Sequence, residues 1–407
     1  MTEARSVARK ARHRLALRKA TKDLAKTDRS IEPGSRRVLV HFGDTAPHLY
    51  QLTQWFPALR EIDAMLGVLI VTRSPDAALQ LRRDPSTPFP VAHAVNHNDL
   101  DPIVAAQDPK VALYVNHHRS NFAMLWHPTM LHCYIGHGES DKIGISASNQ
   151  LKAYDFGFVA GQAAIDRVSR RLINYDTSQR LIVVGRPQTD ALPARADTPV
   201  DAPRTVLYAP SWEGDRPANY YGSLRSHGPV IVAALLADGG YRVIFRPHPL
   251  TGKRDPQYAA ARDQVAKMIA TSLEKDPGAG HVVDLDSDFG WQLAECDLCI
   301  ADVSAVALDA VAAGKPVVIT EPAAASANVP SDSVMSRFDL LPASEAARVV
   351  EWLENAQTGE QAEVISQVRT YCFGDTSNGA STKRFVEQTS RLADLRDSML
   401  AQRDARA

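Results

Sequence analysis

Four short sequences set chemically capable side chains just after strand-like apolar runs. The first is CYIGHGES, where His137 follows the run Leu131–Ile135 and sits between Gly136 and Gly138, with Glu139 next. Glycines let the backbone bend sharply and let a substrate come close. A histidine held at such a tip can take a proton from a hydroxyl near neutral pH. The plain alternative is a loop histidine that hydrogen-bonds its own turn. The second is YRVIFRPHPL, in which the run Tyr241–Phe245 leads into Arg246, Pro247, His248 and Pro249. Two prolines stiffen the backbone around His248. Arg246 adds a permanent charge suited to phosphate, so the pair could neutralise a pyrophosphate leaving group. An ordinary charged turn is the alternative.

The third is DLCIADVSAVALDAVAAGKPVVI. Asp302 and Ser304 precede the helix-forming run Ala305–Ala313, with Ser304 as N-cap. A helix start offers free N–H groups and partial positive charge, hence a phosphate site. Gly314 ends the helix, and Asp309 faces either a cleft or a partner helix. A common βαβ unit with a capping serine explains the same pattern. The fourth is VLYAPSWEGDRPANY, where Pro210, Ser211 and Trp212 follow a strand. Trp212 is placed to stack on a base or shield a cleft, or simply to join the core.

These residues need strands to carry them. Val/Ile/Leu-rich runs alternate with helical stretches, the pattern of a parallel sheet flanked by helices. In the first half the runs are Val38–His41, Val68–Thr72, Val111–Asn116, Leu131–Ile135, Phe156–Ala160 and Leu181–Val184. In the second they are Thr205–Tyr208, Tyr241–Phe245, His281–Leu285, Leu298–Ala301 and Pro316–Thr320. Between them Gln188–Arg204 is rich in Pro, Ala and Asp, as a linker is. The stretch Ser381–Arg406 reads as one helix with Phe385, Leu392, Leu395 and Leu400 near one face. The expected fold is α/β of GT-B type: two Rossmann-like parallel-sheet domains facing a cleft, with a basic N-terminal helix and a C-terminal helix. The divisions are 1–34 (basic amphipathic segment), 35–190 (acceptor domain), 191–204 (linker), 205–376 (nucleotide-donor domain) and 377–407 (C-terminal helix). Ligands of such sheets bind outside the carboxyl ends of the strands.

A chain of 407 residues exceeds one compact core, in keeping with two domains. No apolar run is long enough to span a membrane and no signal peptide opens the sequence, which argues for the cytoplasm. Four cysteines do not make a disulfide framework, and Cys296 and Cys299, spaced C-x-x-C, read as buried strand residues. Ten of thirteen histidines precede residue 141. His117 and His118 follow a strand and point toward the same cleft, and a metal cluster of His117, His127, His132 and His137 is conceivable. His93 and His97 make the one H-x-x-x-H pair, in a loop-like stretch. No partnering acidic motif accompanies either group, so neither metal nor cofactor is expected.

The net charge of −1 hides an asymmetry: residues 1–37 hold twelve Lys or Arg against four Asp or Glu. Val7, Ala11, Leu15 and Leu17 form a thin apolar stripe on an otherwise basic helix. Residues 5–26 are therefore expected to meet an anionic membrane surface, each basic residue adding about 1 kcal/mol. A solvated tail is the alternative. Nucleic acid is not expected, since the basic charge stops where the folded body begins.

Taken in order, these motifs resemble the CDP-glycerol glycerophosphotransferase family, which includes teichoic-acid primases and polymerases. Its HGTP-, GYPRND-, LYAPTW-, RxHP- and SDYSS-like motifs read here as HGES at His137–Ser140, GRPQTD at Gly185–Asp190, LYAPSW at Leu207–Trp212, RPHP at Arg246–Pro249 and ADVSA at Ala301–Ala305. FGDTSNGASTKR at Phe373–Arg384 is similar to the family's C-terminal segment, so the resemblance runs over about 130–385. It implies a GT-B enzyme on the inner membrane face, taking glycerol phosphate or a related polyol phosphate from a CDP-activated donor. The acceptor would be a hydroxyl of a lipid-linked or glycan polymer. It gives His137 the role of base on the acceptor, His248 with Arg246 that of stabilising the donor pyrophosphate, and Ser304 with Asp302 that of contacting donor phosphates. Two departures stand out. Ala305 replaces the second serine of SDYSS, and Glu139 places a negative charge beside the base, which raises its pKa or signals a different acceptor. The rival readings are a nucleotide-sugar glycosyltransferase of the same fold and a non-catalytic, membrane-docked binding protein for polymer assembly.

Overall fold

The structure is a computed structural model that describes residues 16–27, 30–138, 148–195, 202–285 and 289–406. Among the described residues, thirteen strands form two wholly parallel sheets. The first contains β1 (Val38–Phe42), β2 (Val68–Thr72), β3 (Val91–His93), β4 (Val111–Tyr114), β5 (Leu131–Tyr134), β6 (Phe156–Val159) and β7 (Leu181–Val183), in the order β3-β2-β1-β4-β5-β6-β7. The second contains β8 (Arg204–Ala209), β9 (Tyr241–Phe245), β10 (Val282–Val283), β11 (Leu298–Ala301), β12 (Val317–Thr320) and β13 (Leu340–Leu341), in the order β10-β9-β8-β11-β12-β13. Both orders reverse at one point, between β1 and β4 and between β8 and β11. That is where open α/β sheets form a crevice. The central strands β1 and β2 are buried along their whole length, as a two-sided parallel sheet requires.

The expected strands are present. Two short ones, β3 and β13, are additional, and His281–Leu285 contracts to two residues. His93 thus ends a strand, and His97 opens a helix (His97–Gln107) capped by Asn96 and Asp99 in a capping box, so the pair is not in a loop.

Of four helices, α1 (Phe56–Leu66), α2 (Pro75–Arg83), α3 (Ala305–Ala312) and α4 (Ala380–Asp404), the first, third and fourth bear on the site, and α2 packs against the N-terminal segment. Although α4 follows the second lobe in sequence, it packs on the first. Phe385, Leu392 and Ala393 join the core of β1, β4 and α1. Arg396 donates to the Thr129 carbonyl at 2.7 Å, and Lys110 pairs with Asp397 at 2.5 Å. The buried face runs through Phe385, Thr389, Leu392 and Arg396, while Leu395 is exposed and Leu400 half-buried, which corrects the expected stripe.

Residues 16–24 are helical. Ala20 and Leu24 are buried in the first lobe's core beside Leu79 of α2. Arg82 donates to the Leu24 carbonyl, and Arg83 lies 3.7 Å from Asp23. The apolar side of this segment therefore faces protein, and Arg18, Lys19, Lys22 and Lys26 face outward. Val7, Ala11 and Leu15 lie outside the described residues. Among the described residues no helix is long and apolar enough to cross a membrane.

Candidate functional site

On the first lobe the site is built at the ends of β1, β4 and β5. Gly136 turns the chain after β5 with φ 65°, a left-handed conformation that glycine adopts without strain. Trp55 Nε1–H donates to the Gly136 carbonyl at 2.9 Å and Gln54 Nε2–H to the His137 carbonyl at 2.6 Å. Trp55 in turn rests on Phe385 of α4. The imidazole is oriented as well, because Nδ1 lies 3.0 Å from the Val115 carbonyl and so carries the proton. Nε2 is left as the basic atom. Burial holds the His137 pKa below the ordinary histidine value. The charges of Arg186 and His48 push the same way, against the Val115 carbonyl and Asp44. His137 is therefore neutral at physiological pH.

Behind His137, His117 stacks on Tyr134 with centroids 4.0 Å apart, and burial, then His137, lower its pKa to about 4. His132 accepts from Tyr114 Oη at Nδ1 and donates from Nε2 to the His127 carbonyl. His41 is fully buried, donates from Nδ1 to Asn121 Oδ1 at 3.0 Å, and is pushed down to about 3 by burial. These rings are a neutral, packed layer. Among the described residues no group of three His, Cys, Asp or Glu is arranged to hold a metal ion. All four cysteines are buried and free, Cys296 and Cys299 included.

On the second lobe the loops after β8, β9 and β11 converge. The His248 N–H donates to the Pro210 carbonyl at 3.1 Å, and the Leu250 N–H donates to His248 Nδ1 at 3.1 Å. A neutral His248 therefore carries its proton on Nε2, as a donor. Trp212 is neither core nor free: its ring stacks on His248 at 6.1 Å and 24°. Ser304 caps α3, accepting from the Ala307 N–H.

Four residues expected at the donor turn inward. Asp302 is completely buried, accepting from the Ser211 N–H (2.5 Å), the Ser223 N–H (3.1 Å) and Thr320 Oγ1–H (2.7 Å). It ties the loop after β8 to the end of β12. Ser211 is buried by the same bond. Arg246 is drawn onto Asp284 (3.8 Å) and the Phe289 ring (5.0 Å). Asp309 meets an arginine from the other lobe.

That arginine is Arg186, in the turn after β7. Its Nε lies 2.8 Å from Asp309 Oδ1 and a terminal nitrogen 3.3 Å from Oδ2, and both residues are buried. A Cβ placed on Gly138 would lie 3.8 Å from that arginine and 3.7 Å from Ala305 Cβ. The His137 loop thus sits directly against the start of α3.

A family model for CDP-glycerol:poly(glycerophosphate) glycerophosphotransferase matches residues 102–326, more than half of the chain. The chain belongs to that family. It is a CDP-glycerol glycerophosphotransferase, with every motif from HGES to ADVSA inside the match and FGDTSNGASTKR beyond it. No curated protein matches the chain. Among solved structures, a variant of the wall teichoic acid polymerase TagF is 11% identical with a TM-score of 0.58, covering 98% of this chain and 99% of that one. The UDP-GlcNAc 2-epimerase of Neisseria meningitidis bound to UDP-GlcNAc is 12% identical with a TM-score of 0.54, covering 87% and 99%. A glycosyltransferase of Rickettsia africae is 12% identical with a TM-score of 0.52, covering 88% and 98%. At these identities the structures establish the GT-B fold.

In this glycerophosphotransferase, Arg186, Glu213, Gln54 and Trp55 escaped the sequence reading. Glu213 accepts from the N–H groups of Gly252, Arg254 and Asp255 and so holds the loop after His248. Its position just after LYAPSW was the available signal. Arg186 lies inside the quoted GRPQTD motif, at a strand end like the other candidates. Nothing in sequence points from Gln54 or Trp55 to Gly136. Glu139 and Ser140 lie outside the described residues.

Proposed function

We propose that the enzyme transfers glycerol phosphate from CDP-glycerol to a hydroxyl of a membrane-linked surface glycopolymer, with His137 as general base. The observation that carries this reading is the orientation of His137, whose Nε2 lone pair is freed by the Nδ1–Val115 bond beside the start of α3. The acceptor oxygen attacks the β-phosphorus and its proton passes to His137 Nε2. The bond from that phosphorus to the bridging oxygen breaks, and CMP leaves. His248 Nε2–H and the N-terminus of α3 at Ser304 offset charge on the phosphates, Trp212 and Pro210 shape the donor side, and Arg246 acts by fixing the end of β9. Most of the acceleration comes from positioning and charge stabilisation.

The basic helix supports docking to an anionic inner membrane face, with the enzyme peripheral in the cytoplasm. Since Ala20 and Leu24 are committed to the protein, that contact is electrostatic and weakens with salt.

His137→Ala should lower CMP release in the presence of acceptor by about 10²–10⁴-fold, the range for a lost general base. The Kd for CDP-glycerol should stay within a few-fold. Wild-type turnover by His137→Ala would reject the assignment. Release of UDP from UDP-sugars in place of CMP would reject the donor.

A further inference from the structure

We propose that Arg186 is a positioning residue of the transfer reaction: paired with Asp309 across the two lobes, it seats the His137 loop on the start of α3 and fixes the charge beside the base. The proposal rests on the reading of His137 as base and adds a residue to which the family motifs gave no role.

Ala305 and Asp309 are four apart on α3, so they share one helix face. Ala305 meets Gly138 on that face, and Asp309 takes the Arg186 fork one turn on. Arg186 is itself held. Gly185 stands at φ 84°, and a Cβ there would overlap Ser381 and Arg384 of α4. The Thr382 N–H donates to Asp190 at 2.7 Å. The guanidinium thus has one position, touching both the base-bearing loop and the donor-lobe helix.

A buried ion pair adds little to stability compared with an apolar pair of the same size, but losing one partner is severe. Its retained value lies in specificity of arrangement, here the register of one lobe on the other. The charge also reaches the base. His137 is faced by Asp44 and His48 from the turn after β1, by His117 from the end of β4 and by Arg186 from the end of β7. Glu139, two residues on, lies outside the described residues. Arg186 favours the neutral imidazole, and Asp309, as the opposite charge of the pair, should offset part of that effect.

The test uses the full chain and four variants: Arg186→Gln, Asp309→Asn, the double variant and Arg186→Lys. It reads the His137 ring titration by NMR, together with kcat and KM for CDP-glycerol across pH. Arg186→Gln leaves a bare carboxylate, so His137 should titrate at higher pH and the acid limb of kcat/KM should move up. Asp309→Asn leaves a bare guanidinium, so both should move down. The double variant carries no unpaired charge. It should fold, titrate near wild type and lose at least about tenfold in kcat with KM within twofold, since only the seating is lost. Arg186→Lys, lacking the fork, should recover part of kcat. Single variants that shift in the same direction, or a double variant with wild-type kcat, would overturn the proposal. If His137→Ala transfers normally, the base reading falls and the pair loses its catalytic meaning, even where the ring titration moves as stated. If His137→Ala is inactive while the titration and kcat ignore the pair, only the present proposal falls.

Discussion

The strand ends of the two lobes are built on opposite electrostatic plans. The first lobe gathers imidazoles and phenols, with His41, His117 and His132 packed among Tyr114, Tyr134 and Tyr154 and kept neutral by burial. The second lobe uses buried carboxylates as knots: Asp302 under the β8 loop and the end of β12, Glu213 under the loop after His248, and Asp284 against Arg246. Burying a carboxylate is tolerable only when several donors satisfy it. Asp302 and Glu213 therefore fix backbone that would otherwise be loose, and Asp284 holds the side chains of Gln292 and Arg246. The two lobes thus divide their charge differently: burial keeps the rings at the first lobe's strand ends from taking up protons, and the second lobe's carboxylates are turned inward, leaving the start of α3 as a group of positive polarity at its strand ends.

Asp302→Ala carries the largest expected effect. It strands two backbone N–H groups and a hydroxyl in the core, which should cost on the order of 3–5 kcal/mol and abolish CDP-glycerol binding. Thermal unfolding and calorimetric titration of the donor check it. A stable variant that binds normally would show that the knot holds nothing.

The neutral layer can be probed by pH. His41 takes up a proton near pH 6.5 when unfolded but only near 3 when folded. Between these values the unfolded chain binds more protons, so stability climbs as pH rises and is lost as pH falls. His41→Phe leaves Asn121 without its donor and should cost about 1–3 kcal/mol at pH 7. The gap to wild type should narrow by pH 4, as followed by unfolding midpoints. Parallel curves would place the acid sensitivity elsewhere.

The smallest effect on stability is expected at the basic helix. Lys19→Glu with Lys22→Glu should change unfolding by less than about 0.5 kcal/mol, yet reduce low-salt binding to vesicles containing anionic lipid. Equal vesicle binding by this variant would remove the outer charge as a docking device.

Much of this was legible in the sequence because parallel strands buried on both faces announce themselves as apolar runs, and the five motifs sit at their ends. The strands β3 and β13 were not, being three and two residues long in polar or proline-rich surroundings. Side-chain direction was harder still. Asp302 and Asp309 flank a capped helix start, which suggested that they face the ligand. What buries them comes from Thr320 and Arg186, far away in the chain. Leu17, Ala20 and Leu24 carry helical spacing that suits a lipid surface or a protein surface equally well, and only the fold chose between them.

The return of α4 to the first lobe has a consequence for synthesis. Phe385, Leu392 and Ala393 belong to the core around β1, and the turn bearing Arg186 is closed by Ser381, Thr382 and Arg384. On the ribosome, the first lobe must wait until the whole second lobe and then α4 have been translated before its interior is filled. Chaperone demand should therefore fall on the first lobe, while the second folds as it appears.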